Sequence, residues 1–124
     1  MKKILVVEDT ISVREEVCDI LRIENYEVFE ASDGHQALAI VKSKMPDLII
    51  TDILMPRLNG FKFIEKLKKW KKTKNIPIIL LTAKAEKADL QHGLELGIKD
   101  YLVKPLGILD LINTVKNKFV NKQL

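Results

Sequence analysis

Glycine is missing from the first 33 of the 124 residues, arginine occurs three times against eighteen lysines, and cysteine occurs once. Each scarcity excludes something. Loops that cradle a phosphate or a dinucleotide supply glycines so that backbone amides can approach the anion. The segment Glu8-Asp9-Thr10-Ile11-Ser12 offers none, and its two carboxylates would repel a bare phosphate, so a flavin or dinucleotide site is disfavoured. Base-edge reading and bidentate phosphate contacts favour Arg over Lys. The formal charge of +4 therefore does not indicate direct nucleic-acid binding, and the crowd of Lys62, Lys66, Lys68, Lys69, Lys71, Lys72 and Lys74 reads as a solvated face of the third helix. Trp70, inside that crowd, reads as a cover for neighbouring apolar surface rather than a base-stacking platform. A lone Cys18 rules out an intramolecular disulfide, and its place beside Val17 and Leu21 at helical spacing makes it a packed thiol without a role.

Long hydrophobic runs are also lacking. The longest, Ile76 to Ala83, contains Pro77 and falls well short of the ~20 residues that a membrane-spanning helix needs. The basic start Met1-Lys2-Lys3 is followed by an apolar run that breaks at Glu8-Asp9, before any export-length core can form. A cytoplasmic location with no membrane association is expected. With no repeat, low-complexity tract or linker, and 47% hydrophobic residues, the chain is expected to form one domain over 1–124.

What is present is an alternation, repeated five times, of short apolar runs with amphipathic stretches. The expected strands are 3–7, 26–30, 47–51, 77–82 and 99–103. Between them Val13, Val17, Ile20 and Leu21 recur at helical spacing, as do Ala37, Leu38 and Val41 after Gly34, and Phe61, Ile64 and Leu67 after Gly60. A fourth helix carries Leu90, Leu94 and Leu96 and is closed by Gly97; a fifth, from near Ile108, buries Ile112, Val115 and Phe119. Such βα units with short connections fit a doubly wound parallel sheet covered by helices on both faces.

Unbroken Val/Ile/Leu runs mark buried parallel strands, and ligands bind outside the carboxyl ends of such strands. Those ends carry the charges here. Ile4-Leu5-Val6-Val7 is closed by Glu8-Asp9, Leu48-Ile49-Ile50-Thr51 by Asp52, and Tyr101-Leu102-Val103 by Lys104. Three carboxylates brought to one pocket repel each other unless a cation neutralises them, and an oxygen-only ligand set suits magnesium (Mg2+). A carboxylate can accept a phosphoryl group as an acyl phosphate when a metal neutralises the charge on the group in transfer. Asp52 is the candidate acceptor, because Pro56 and Asn59-Gly60 already supply the turn and cap chemistry that a loop Asp would otherwise serve. Thr82 ends the fourth run with a hydroxyl able to donate to a phosphoryl oxygen, and Lys104 is a candidate fixed cation. The bond before Pro105 is of the kind that can be cis in a tight, site-forming turn. The amphipathic ring of Tyr101 suits either a buried or an exposed position.

In this joint spacing the chain resembles the receiver domain of two-component response regulators over essentially all 124 residues. The matching motifs are the acidic pair Glu8-Asp9, Asp52 with Met55-Pro56 and Asn59-Gly60 downstream, Thr82, and Lys104-Pro105. The resemblance implies a flavodoxin-like α/β fold with five strands in the order 2-1-3-4-5. It implies that Glu8, Asp9, Asp52 and the backbone carbonyl of Leu54 bind magnesium. Asp52 would take the phosphoryl group from a histidine kinase or a histidine phosphotransfer protein, with Thr82 and Lys104 contacting that group. Thr82, Tyr101 and Pro105 would belong to the switch. The surface over 85–122 would then bind a downstream protein or output domain, or a second copy in a phosphorylation-dependent dimer. No enzyme activity beyond self-phosphorylation and slow self-dephosphorylation is implied.

Two other readings fail on single positions. A phosphatase of the haloacid dehalogenase type needs a second Asp two residues after the first as acid/base, where this chain has Leu54. A degenerate receiver that signals without phosphate would be expected to have lost one of Glu8, Asp9, Asp52, Thr82 or Lys104. Leu54 and Lys84, two positions beyond Asp52 and Thr82, can neither orient nor deprotonate an attacking water, so slow self-dephosphorylation is expected.

Overall fold

The computed structural model describes residues 1–53, 55, 59–83 and 87–121. Five βα units follow one another: β1 Lys3–Val7, α1 Ile11–Ile23, β2 Glu27–Ala31, α2 Gly34–Lys44, β3 Leu48–Asp52, α3 Gly60–Lys69, β4 Ile78–Thr82, α4 Lys87–Glu95, β5 Asp100–Val103 and α5 Ile108–Asn121. All pairings are parallel, in the order β2-β1-β3-β4-β5. This is the doubly wound sheet that the apolar alternation required.

Successive side chains of a strand point to opposite faces, so each apolar run feeds two cores. Leu5, Val7, Ile49, Ile78 and Leu80 face Ala37 and Val41 of α2 and Phe63, Ile64 and Leu67 of α3. Ile4, Val6, Ile50, Ile79 and Leu81 face Val17, Cys18 and Leu21 of α1 and Leu111 and Val115 of α5. The Cys18 thiol is buried there, and burial pushes its pKa up to about 12, so it packs as an inert apolar group.

Side-chain caps fix where α2 and α3 begin. Asp33 accepts from the Gln36 amide at 2.9 Å, and Asn59 accepts from the Lys62 amide at 3.0 Å. Gly97, at φ 84°, ends the chain segment after α4 in the left-handed conformation, as expected of that residue. The Lys104–Pro105 peptide is cis.

Several expectations need correction. Four strands start one residue later than hydropathy suggested, and Asp52 is the last residue of β3, paired with Leu81, rather than the first residue after it. Phe63 is fully buried, while Phe61 is half-buried and stacks on His92 with ring centroids 4.2 Å apart. Leu94 is exposed, Leu96 lies just past the end of α4, and Leu111 joins Val115 at the centre of the α5 face, with Ile112 and Phe119 only partly buried. Val103 is exposed because β5 is an edge strand covered less completely than the central ones, and Tyr101, whose ring suits either position, takes the exposed one. α3 ends at Lys69, so Lys71, Lys72 and Lys74 lie on the following turn, not on the helix.

Gly60 lets α3 start against the end of β3. A Cβ there would overlap the Asp52 carbonyl oxygen and lie 2.9 Å from the Ile53 Cα, both of them backbone, while the Gly60 amide donates to the Ile53 carbonyl at 2.9 Å. Gly60→Ala should lower unfolding free energy by about 3 kcal/mol. Gly97→Ala, with open space around it and only a positive φ to oppose it, should cost about 1 kcal/mol. Urea denaturation checks the pair; equal, small losses would show that Gly60 is not wedged against the backbone that carries Asp52.

Candidate functional site

The β1–β3 register pairs Val7 with Thr51, which sets Glu8 and Asp52 side by side at the carboxyl end of the sheet. β4 pairs with β5 through Thr82 and Val103, which delivers Lys104 to the same end. Backbone bonds hold the pieces: the Lys104 amide donates to the Thr82 carbonyl at 2.8 Å, and the Glu8 amide to the Ala31 carbonyl at 3.0 Å. Arg14 of α1 donates to the Glu8 carbonyl at 2.8 Å, and the Thr10 amide donates to Glu8 Oε2 at 3.2 Å.

Glu8, Asp9 and Asp52 each place a carboxylate oxygen within 4.8 Å of the others. Glu8 is 0% and Asp52 6% exposed, whereas Asp9 is open to solvent. The Lys104 ammonium bridges the two buried carboxylates, bonding Asp52 Oδ2 at 2.9 Å and meeting Glu8 Oε1 in an ion pair. Thr82 is buried at the end of β4.

The electrostatics follow from this crowding. Burial pushes the Glu8 pKa up to about 7; Lys104 opposes the rise, and the neighbouring Asp52 and Asp9 add to it. Burial also works against the Lys104 ammonium, but Glu8 and Asp52 outweigh it and hold its pKa above the ordinary lysine value. Among the described residues one ammonium thus serves a site with up to three negative charges.

The residues fit a hard divalent cation. Every donor is an oxygen, and Glu8 Oε1, wholly buried and in ionic contact with Lys104, makes no regular hydrogen bond among the described residues. Sequence reasoning placed Glu8, Asp9, Asp52, Thr82 and Lys104 at one sheet edge, and all five are there. What it missed is the pairing of Lys104 with Glu8, for which linear spacing carries no signal. Pro105, the residue after Lys104, and Tyr101, three residues before it, are both exposed. Leu54, Pro56 and Lys84 lie outside the described residues, as do 85, 86 and 122 of the expected output face.

A Glu8 carboxyl with a folded pKa near 7, above its ordinary 4.5, binds protons more tightly in the native than in the unfolded state. Its stabilising effect is therefore complete below about pH 4.5 and lost as pH rises through about 7. In chelator, the urea midpoint should fall between about pH 5 and about pH 7.5, and Glu8→Gln should reduce that fall. An identical pH dependence in the two proteins would refute the strained burial of Glu8.

Residues 4–116 match the family model of the response regulator receiver domain. Among curated proteins, the phosphate regulon transcriptional regulatory protein PhoB of Escherichia coli is 38% identical over 115 residues, which are 93% of this chain and 50% of PhoB. The chain spans about half the length of the curated relatives it matches. Among solved structures, the chemotaxis response regulator CheY4 of Vibrio cholerae superposes with a TM-score of 0.88 at 36% identity, covering 94% of this chain and 98% of that one. The receiver domain of the sensor histidine kinase PA1611 from Pseudomonas aeruginosa gives a TM-score of 0.85 at 30% identity over 94% of this chain and 95% of its own, and that structure has a magnesium ion coordinated in the active-site cleft. A sequence match that spans both the acidic edge and its lysine, on a fold shared almost end to end, is decisive: the chain belongs to the response regulator receiver domains of two-component systems.

Proposed function

We propose that Asp52 is the phosphoacceptor of this receiver domain and that its donor is the phosphohistidine of a histidine kinase or a histidine phosphotransfer protein. The observation that carries this reading is the Asp52 carboxylate, almost buried at the end of β3, with an ammonium 2.9 Å from one oxygen and two further carboxylates beside it. An Asp52 oxygen forms the new P–O bond as the P–N bond of the donor breaks, and the pocket positions that oxygen while excluding most competing water. Glu8, Asp9 and Asp52 are the residues to hold magnesium, with the Leu54 carbonyl as a fourth oxygen. When bound, that ion supplies neutralising charge for the phosphoryl group in transfer.

Converting the Asp52 carboxylate to an acyl phosphate replaces a charge of −1 by about −1.5 to −2, a net gain of about −0.5 to −1 where Lys104 already pairs with two carboxylates. Among the described residues Lys104 is the cation nearest to receive the added charge, and its shift away from Glu8 toward the phosphoryl oxygens is the local event that biases the surroundings. Thr82 contributes its hydroxyl to a phosphoryl oxygen, and Tyr101, on the strand that leads into Lys104, and Pro105, the residue after it, follow that movement. The face built from α4, β5 and α5 carries exposed Leu94, Tyr101, Val103, Ile108, Leu109 and Val120, which supports its role as the surface for an output domain, a downstream target or a phosphorylation-dependent dimer. The chain acts on no other substrate in this reading; it catalyses its own phosphorylation and, slowly, its own dephosphorylation. Among the described residues no helix is long and apolar enough to cross a membrane, in keeping with a domain that works in the cytoplasm.

Incubation with acetyl phosphate and magnesium should add the mass of one phosphoryl group to the wild type and none to Asp52→Asn. Lys104→Ala should still be phosphorylated but lose the accompanying change at Tyr101, read by its NMR shifts. A phosphoryl adduct on the Asp52→Asn protein would mean that another residue is the acceptor.

Millimolar magnesium should raise the melting temperature of the unphosphorylated protein, because a ligand that binds only the native state stabilises it. The gain should be largest above about pH 7, where Glu8 is ionised, and should shrink in Asp9→Asn. No difference in melting temperature between chelator and millimolar magnesium would remove the metal site.

A further inference from the structure

At the opposite end of the sheet from Asp52, the last turns of α2 and α3 enclose a groove of about 460 Å3 lined by Leu38, Val41, Lys42, Lys66, Leu67 and Trp70. Its floor is apolar: Val41 and Leu67 are buried, and Leu38 is partly buried. Its rim is cationic. Residues 35–45 and 61–74 hold nine lysines and one glutamate, a balance of +8, so the remainder of a +4 chain carries −4. Trp70, at 36% exposure, forms one wall and is the chain's single tryptophan.

Lysines in the last turn of a helix complement its dipole, which accounts for Lys42, Lys44, Lys66, Lys68 and Lys69 in kind. It does not account for their number. Two helix ends together present about one unit of negative charge, and the lysines go on past α3 through Lys71, Lys72 and Lys74. Like charges gathered this closely destabilise the isolated domain and favour binding of an anion.

We propose that the α2–α3 groove docks an acidic, amphipathic peptide segment of a partner protein, which seats an apolar side chain against Leu38, Leu67 and Trp70 and sets its carboxylates on Lys42 and Lys66. A nucleic acid backbone would use the charge but not the recessed apolar floor, and its reading would favour Arg over Lys. A bilayer is excluded by shape, since the apolar surface lies in a concavity between two helices rather than on a projecting edge. A helix or extended segment with one anchor side chain fits both features, as in groove recognition generally.

Trp70 makes the test direct. The full chain is titrated with a helical peptide of about 16 residues bearing Leu and Phe at i, i+3, i+4 and i+7 and Glu elsewhere, while Trp70 emission and the anisotropy of labelled peptide are followed. Saturable binding with a shift in Trp70 emission is expected. The same peptide with Ser in place of Leu and Phe should bind at least about tenfold more weakly, and so should the original peptide to a Lys42→Glu, Lys66→Glu variant. Both lysines are exposed, and retained phosphorylation by acetyl phosphate shows that the variant is folded. Asp52→Asn should bind the peptide as the wild type does, which separates this site from the phosphoacceptor. Absence of saturable binding, equal affinity for the Ser peptide, or tighter binding of a single-stranded oligonucleotide or of phosphatidylglycerol vesicles would each overturn the proposal.

Discussion

The repulsion among carboxylates at the end of β1 and β3 is the constraint around which this domain is arranged. A parallel sheet places strand ends side by side whatever their charge, so the β1–β3 register alone forces Glu8 against Asp52. Two buried carboxylates a few ångströms apart are tolerable only with a counter-charge, and Lys104 supplies one from the far side of the site. Burial, with Asp52 and Asp9 adding to it, still holds the Glu8 pKa above its ordinary value despite that ammonium. The site is therefore an acidic, all-oxygen cluster that fits a cation, with Lys104 held between two of its carboxylates.

The rest of the molecule is built to hold that arrangement rigidly. Both faces of the sheet are filled, with Ile4, Leu5, Val6 and Val7 wholly buried ahead of Glu8, and Leu48, Ile49 and Ile50 ahead of Asp52. Such strands cannot slide to relieve the repulsion, because a one-residue slip would move every apolar side chain to the wrong face. Gly60 and Asn59 then bring α3 up against the Asp52 backbone, and the Lys104 amide ties β5 to the Thr82 carbonyl. Strain is thus confined to side chains at the edge while the backbone beneath stays fixed.

Much of this is legible in the sequence because burial and charge change sharply where strands end. Val/Ile/Leu runs closed by acidic residues locate both the elements and the site. Hydropathy is blind to three other things. It cannot say that Asp52 still belongs to β3, since a polar last residue of a strand resembles the first residue of a loop. It cannot tell an edge strand from a central one, so Val103 looks buried in the run Tyr101-Leu102-Val103 and is exposed on β5, and the position of the amphipathic Tyr101 ring stays open until the strand is placed at the edge. And it assigns Phe61 to the core by its spacing from Ile64, when Phe63, four residues before Leu67, is the side chain that fills it. The Glu8–Lys104 pair and the α2–α3 groove depend on residues far apart in the chain, and only the assembled sheet brings them together.

The uneven charge of the chain has a consequence for signalling. The acidic site lies at the carboxyl ends of the strands and the lysine-rich groove at their amino ends, so the two are separated by at least the length of a five-residue strand, about 16 Å. At physiological ionic strength the screening length is about 8 Å, so a charge added at Asp52 would be largely hidden from solvent-exposed lysines at that distance. Helices α2 and α3 also pack on the sheet through fully buried side chains such as Val41, Ile64 and Leu67, which leaves little room for a rearrangement to be passed across the core. A segment docked in the groove as proposed would accordingly be held in both phosphorylation states. The half-exposed β5 edge with Tyr101 and Val103 runs directly into Lys104, so under the proposed function it is the surface to read the phosphorylation state, a switched surface separate from the constant attachment point proposed in the groove.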